Sequence, residues 1–441
     1  MNYIPQILFA LILAGAVFFI FKRYKRIRDN ISLGRQKKIN DNPGERFKTM
    51  LLIAFGQKKM FDKPLVGLLH LLVYLGFVII NIEMLEIVID GLFGTHRVFL
   101  DLMGNFYAIL INVFEFLAVG VIISCSIFLI RRNVLKLRRF WAREMTQWPK
   151  TDANIILIVE IALMVAFLSM NTADTVLQHR GVPHYAQTGY FLFSNFLTGI
   201  FSDLTTSQLI FVERLAWWAH ILGVLGFAIY ITYSKHLHIF LAFPNTYFSD
   251  LKPKGKMINM PEVTREVKSM LGINDGAVDQ NDAPQEIGRF GAKDINDLSW
   301  KNLMDAYSCT ECGRCTAACP ANITGKLLSP RKIMMDTRDR MEEVGMSLDK
   351  GGPGLQDGKA LLDDHILREE IFACTSCQAC VQACPVNIDP LSIILQIRRY
   401  ITMEETKAPA AWNSMYSNIE TNMAPWKFSP SDRFNWSKDI K

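Results

Sequence analysis

The chain has 441 residues, half of them hydrophobic, and a formal net charge of +6. That length holds two or three domains, and the charge is too mild for a nucleic-acid binder, with no basic patch interleaved with aromatics in the polar half. Eight of the nine cysteines lie in two boxes toward the carboxyl end, which excludes the disulfide framework of a small secreted domain.

Five apolar stretches fill the first 243 residues. Ile4–Phe21 is uncharged, and Pro64–Ile80 is uncharged and continues past Glu83 and Glu86. Phe106–Ile130 holds only Glu115, and Ala153–Ala173 only Glu160. Leu215–Ser234 is uncharged, and its helix is expected to begin near Leu209 and run on to about Phe240. Each can cross a ~30 Å hydrocarbon core at ~1.5 Å per residue. Tyr190–Phe201 is too short to span and reads as interfacial or re-entrant. Cys125, alone in the third stretch, reads as a small core hydrophobe.

The loops give an orientation. Lys22–Lys63 carries 13 Lys and Arg and Arg131–Lys150 carries 7, whereas Asp90–Asn105 and Asp174–Gln208 carry one each, Arg97 and Arg180. The positive-inside rule then puts the amino terminus outside and everything after Lys235 in the cytoplasm. The expected setting is a bacterial-type inner (cytoplasmic) membrane, crossed several times. Met1–Gln6 lacks basic residues, so no cleaved signal peptide is expected.

The expected division is a membrane domain over 1–243, a linker over 244–298 rich in Lys, Asp, Gly and Pro, a soluble domain over 299–405, and a Trp-rich tail over 406–441 that docks a partner. In the soluble domain Pro330–Arg340 and Leu391–Met403 read as helices, and Lys350–Gly354 as a loop. The fold class is all-α: a five-helix transmembrane bundle joined to a small α-helical dicluster ferredoxin-like domain.

The boxes are "CTECGRCTAACP" from Cys309 and "CTSCQACVQACP" from Cys374, 65 residues apart. Three thiolates at this spacing wrap one face of a cubane, and the fourth, followed by Pro, ligates the neighbouring cluster. One 4Fe–4S cluster would take Cys309, Cys312, Cys315 and Cys384; the other would take Cys374, Cys377, Cys380 and Cys319. Structural zinc is the alternative, but zinc sites pair two C-x2-C knuckles rather than repeat this run. Gly313, Ala317, Ala318 and Ala379 would let backbone approach the sulfides.

Clusters beside a bilayer call for a redox group within it, and intramembrane histidines mark function. His70 lies in the second stretch and His220 in the fifth, with Gly67, Gly76, Gly223 and Gly226 nearby for a flat macrocycle. A bis-His haem b is expected between them. On a continuous helix His238 would share the face of His220 about 27 Å away, while His236 would face the opposite way. A second haem would use His238 with Met60. In the outer loops, His179 or His184 is the expected quinone hydrogen-bond partner, among His96, Asp174, Glu213 and Arg214. Glu83, Glu86, Glu115 and Glu160 are candidates for proton relay or for interhelical hydrogen bonds.

Taken together, "GQKKMFDKPLVGLLH", "YSKHLHIFLAFPNTYF" and the two boxes with "CPANITGKLLSPR" resemble the haem-b membrane subunits of heterodisulfide-reductase and nitrate-reductase gamma type. Those subunits are fused here to a heterodisulfide reductase C-like ferredoxin domain. The resemblance implies paired histidines on the second and fifth spans. His70, His220 and His238 match three of the four ligands and Met60 replaces the fourth. Related fused proteins linking electron-transferring flavoprotein to menaquinone continue into CCG domains. No CCG motif occurs in this sequence, so that module is expected on a partner subunit.

The expected function is that of an electron-transfer subunit of a quinone-linked oxidoreductase, with menaquinone as substrate and electron-transferring flavoprotein or another cytoplasmic protein as donor. The alternatives are reverse flow from quinol to a cytoplasmic disulfide-type acceptor, or a mainly structural docking subunit.

Overall fold

The computed structural model describes residues 3–253, 255–257, 259–273, 289–352, 357–427 and 429–440. Every regular element among them is helical, apart from two isolated bridges. Five helices are long and apolar enough to cross a membrane: Ile4–Ile31, Pro64–Phe93, a third starting at Phe106, Trp148–His179 and Thr206–Ile231. Each outruns its apolar stretch, because a hydrogen-bonded helix propagates into the polar flank once formed. Prolines at the first turn of the second span and of Pro330–Gly351 cost nothing, since their missing N–H has no helical partner there. The spans pack on Tyr107, Ile111, Phe114, Phe167 and Ile221, all essentially inaccessible, while Phe18, Phe116 and Phe211 face outward.

The fifth span departs from expectation. It ends at Ile231, and a short 3-10 turn, Lys235–Leu237, leads into a new helix, His238–Tyr247. Ser234 is extended (φ −114°, ψ 158°) and its hydroxyl accepts the N–H of His236 at 3.1 Å. Asp152 of the fourth span accepts the N–H of Lys235 at 3.2 Å. These side-chain bonds supply the break. The five-turn alignment of His220 with His238 therefore does not hold. His236, expected on the opposite face, lies with its ring centroid 5.4 Å from that of His238. The helix His238–Tyr247 runs across residue 243, with Leu241 in the core of the soluble domain, and Pro261–Met270 is helical within the expected linker. The remainder of that linker, 274–288, and part of the 350–354 loop lie outside the described residues.

The soluble domain packs short helices around Leu303, Ile333, Ile393 and Ile397. Its longest helix continues from Pro330 to Gly351, well past Arg340, because Arg340, Met341 and Gly345 keep a buried stripe in register. That stripe meets the first span beyond the bilayer. Arg23 pairs with Glu342 at 2.6 Å, Asn30 donates to the Tyr307 hydroxyl at 2.8 Å, and Arg26 pairs with Asp349. A parallel bridge, Arg35 with Ser299, closes the joint. The cluster-bearing domain is thus fixed against the end of a membrane helix.

The apolar 190–201 segment forms a ten-residue helix, Leu192–Phe201, too short to span. Its first turn is held by Glu115 of the third span, which accepts the N–H groups of Phe193 (2.9 Å) and Ser194 (3.2 Å). A carboxylate at a helix N-terminus satisfies orphan donors and complements the dipole. In the tail, Trp412 of the helix Ala410–Asn422 packs edge-on against Phe372 at 5.2 Å.

Candidate functional site

The two cysteine boxes fold as mirror turns that end in short helices, Arg314–Ala318 and Ala379–Ala383. Left-handed residues at Glu311, Gly313, Ser376 and Gln378 curl each loop in the same way. Cys309, Cys312, Cys315 and Cys384 line one cavity, together with Gly313 and Arg331. Cys319 lies instead within electrostatic reach of Cys374 and Cys380. The fourth cysteine of each box therefore sits with the other box. Among the described residues no three such side chains are close enough to grip a single metal ion.

The environment of the thiols is apolar and donor-rich. Burial pushes the Cys309 thiol up to about 12 and the Cys384 thiol to about 11, so both are neutral unless a cation claims them. Backbone N–H groups point at the sulfurs: Ile388 to Cys384 at 3.3 Å and Ser376 to Cys374 at 3.4 Å. Such bonds stabilise the charge of a thiolate-ligated cluster. Arg139 and Arg132 carry buried guanidinium nitrogens with no hydrogen-bond partner, and Arg139 lies within electrostatic reach of Cys312. Buried cations need an anion, and an anionic iron–sulfur cluster in this cavity fits that need. Gly313 has φ +71°, and a Cβ there would come within 2.5 Å of Arg331 Nη1. Gln378 holds the same left-handed backbone in the second box, so what favours glycine at 313 is the buried Arg331 guanidinium beside it.

Three histidines share one arrangement. Nδ1 of His70 faces Gln57 Oε1 at 3.0 Å, Nδ1 of His220 faces the Leu163 carbonyl at 3.0 Å, and Nδ1 of His238 faces the Lys235 carbonyl at 3.1 Å. In each, Nε2 makes no hydrogen bond to a described residue. This is how a metal-binding imidazole is oriented and its tautomer set, so these residues fit haem ligation. His70 lies six residues from the start of the second span and His220 eleven before the end of the fifth. At ~1.5 Å per residue those depths differ by roughly 7 Å. His70 instead lies within electrostatic reach of His238. The Met60 sulfur accepts from Arg314 Nη2 at 3.4 Å, turned toward the cluster loop. The glycine expectation needs correction: a Cβ at Gly67, Gly76 or Gly223 would meet Met60, Val121 or Leu163, and only Gly226 of the four opens onto free space. The other three serve close helix packing.

At the opposite end of the bundle a polar network is buried among the spans. Arg97 donates to Asp174 (2.5 Å), Tyr107 (3.0 Å) and Asn171 (2.9 Å), and Tyr107 donates to Glu86 at 2.8 Å. His96 lies 3.8 Å from Asp174, and its ring centroid is 5.1 Å from His184 and 5.2 Å from Tyr185. Burial, aided by the Arg97 cation, holds His96 down to about 3 against the pull of Asp174. Its Nδ1 and Asp174 Oδ1 are buried without hydrogen-bond partners. Tyr185 donates to Glu213 at 3.2 Å, and Glu213 pairs with Arg214. His179 stands apart, exposed at the end of the fourth span. Glu83 has an unpartnered buried oxygen, whereas Glu115 caps a helix and Glu160 has no hydrogen-bond partner among the described residues.

The sequence reading missed His236, because the break before it is made by side-chain bonds. It also missed the centrality of Arg97, the single Lys or Arg of the Asp90–Asn105 loop.

The crossed double cysteine site, carried beside five helices long and apolar enough to cross a membrane, is of the kind that holds 4Fe–4S clusters. Residues 308–388 match the family described as 4Fe-4S dicluster domain. Over 98% of its length the chain is similar to the "Probable iron-sulfur-binding oxidoreductase FadF" of Bacillus subtilis, at 27% identity and covering 60% of that protein. It is similar over 98% of its length to the "EtfAB:quinone oxidoreductase" of Syntrophomonas wolfei, at 24% identity and covering 59%. A 37% share of the chain is 32% identical to 26% of the "Probable membrane-anchored ferredoxin" of Chromohalobacter salexigens. The chain thus spans about three-fifths of the length of the first two relatives. No solved structure matches it.

Proposed function

We propose that the chain is the membrane electron-transfer subunit of a quinone-linked oxidoreductase of the cytoplasmic membrane, amino terminus outside, receiving electrons from a cytoplasmic protein. The observation that carries this reading is the joint itself. The loop of Cys309–Cys315 and the helix starting at Pro330 abut the basic loops between the spans through Arg314 on Lys59 (2.9 Å) and Arg331 on Arg139 (2.7 Å). When bound, two 4Fe–4S clusters and haem b supply one-electron carriers between an aqueous donor and a lipid-soluble acceptor.

In this reading Cys309, Cys312, Cys315 and Cys384 hold one cluster and Cys374, Cys377, Cys380 and Cys319 the other. His70 and His220 hold haem b, and His238, with His236 or Met60 nearby, would serve a second. Quinone oxygens, menaquinone being the expected species, would accept hydrogen bonds from His96 or His184. Reduction of the quinone to quinol takes up protons, which would enter through Asp174 and the Arg97 network. The donor would be a CCG-type iron–sulfur subunit or an electron-transferring flavoprotein, docked at the exposed Cys377 edge beside the Trp412 tail; the similarity to an EtfAB:quinone oxidoreductase supports this.

The test is purification with bound partners, followed by assay of iron, acid-labile sulfide and haem. An optical titration with a menaquinol analogue completes it. About eight iron atoms in clusters and a Soret band lost in His220→Leu are expected. A preparation without labile sulfide, or one whose haem ignores quinol, overturns the reading.

A further inference from the structure

The charges around the two cysteine sites are unequal. Beside the Cys309–Cys315 loop, Arg314 donates only to the Lys59 carbonyl and the Met60 sulfur. Arg139 stacks on Phe140 at 4.8 Å and leaves Nε unpartnered. Lys63, at the exposed rim, lies within electrostatic reach of Arg139, Arg314 and Cys312. None of the three makes an ion pair with a described carboxylate. Lys59 donates to the Cys384 carbonyl at 3.0 Å. The acids nearby are already committed: Glu144 to Arg331, and Glu311 to Lys235 and Arg338.

At the Cys374–Cys380 site cations and carboxylates are mixed, Lys252 and Lys256 lining a pocket with Asp250, Asp389 and Gln378. Arg398 donates to the Ile371 and Cys374 carbonyls at 2.7 and 2.8 Å, and Asp389 lies within reach of Cys380. Reduction adds one negative charge to a cluster that is already anionic. Unpaired cations in a partly buried, low-dielectric setting favour that added charge. Water at the exposed Cys377 favours reduction of the second site, but it is a partial hydration gain set against several uncompensated charges.

We infer that Arg139, Arg314 and Lys63 form a cationic cradle that gives the Cys309–Cys312–Cys315–Cys384 cluster the higher reduction potential of the two, so that electrons arriving at the Cys377 edge run toward the membrane. The inference rests on the two-cluster reading above and adds a direction to it. Each transfer moves one electron: the outer cluster is oxidised by one, the inner reduced by one, and the cytoplasmic donor restores the first. Arg139 acts here as a tuning residue; it is not a ligand.

The test is a potentiometric titration of the whole, cluster-loaded protein in lipid nanodiscs, followed by electron paramagnetic resonance. Cys312→Ser and Cys377→Ser assign the two signals. The inner signal is expected to appear at the more positive potential. In Arg139→Gln its reduction equilibrium is expected to fall about tenfold, ~59 mV for one electron, with the outer signal unmoved. Arg139→Lys should restore it, which a folding defect would not. Two signals in the reverse order, or an inner signal indifferent to Arg139→Gln at unchanged iron content, overturn the inference and leave the cluster reading standing. Absence of any cluster signal overturns both.

Discussion

Lys235 Nζ reaches the Glu311 carboxylate at 2.5 Å, linking the turn that carries His238 to the loop that carries Cys309 and Cys312. Glu311 takes Arg338 on its other oxygen at 2.7 Å, and the Lys235 carbonyl holds His238 Nδ1. One carboxylate therefore ties a cluster loop, a domain helix and a candidate haem ligand together. Both partners of the Lys235 pair are buried. Removing one side of such a pair strands the other charge and costs about 3–5 kcal/mol. Glu311→Gln should lower the thermal midpoint of the soluble domain and increase its protease release. The double variant with Lys235→Met should lose less than the sum of the single losses.

Docking of the same domain should depend on acidity through Glu144. Burial pushes this carboxyl up, but the Arg331 guanidinium and the Ser329 hydroxyl more than offset it, so it titrates below the usual carboxylate range. A depressed folded value means the contribution is fully present above the ordinary carboxylate pKa and is lost as pH falls through the folded one. Cross-linking between the 138–145 loop and the helix starting at Pro330 should be constant from pH 7 to about 5. It should fall in more acid buffer, and Glu144→Gln should remove that acid-dependent loss.

Gly34 sits where two backbones touch. A Cβ there would come within 2.6 Å of the Trp300 nitrogen and 2.8 Å of the Ser299 carbonyl carbon. Backbone cannot give way as a side-chain tip can, so Gly34→Ala should cost about 1–3 kcal/mol of docking stability. Hydrogen exchange would read this as faster exchange of the Arg35 and Trp300 amides, which pair with Leu298 and Arg35 carbonyls.

Glu115 is the anchor of the Leu192–Phe201 helix. Glu115→Leu would leave the amides of Phe193 and Ser194 and the Asn171 side chain without their acceptor. Buried donors left unmade cost about 1–3 kcal/mol each. The helix should then exchange deuterium faster, and a thiol placed at the exposed Phe196 should react more readily with a water-soluble maleimide.

Much of this architecture is legible in the residues. The five spans announce themselves because lipid demands uninterrupted apolar helix, and the cysteine spacing encodes the crossed site because a cubane fixes where four sulfurs stand. His70, His220 and His238 are visible as polar residues in or beside apolar runs. What sequence could not give is set by long-range side-chain bonds. Ser234 and Asp152 break the fifth helix, Glu115 folds back the short helix, and Arg97 gathers residues from separate spans. Each such bond joins positions far apart in the chain, where periodicity carries no signal. Gly67, Gly76 and Gly223 misled for the same reason, since smallness reports room without saying what fills it.

Arg23 and Asn30, toward the carboxyl end of the first span, find Glu342 and Tyr307 only 319 and 277 residues later. During synthesis the amino-terminal helix is therefore threaded into lipid long before its seat exists. The bundle must assemble with that stalk bare, and its latching waits on the later synthesis of that seat. A ribosome stalled before Pro330 would leave an inserted but unlatched stub, its basic collar open to quality-control proteases.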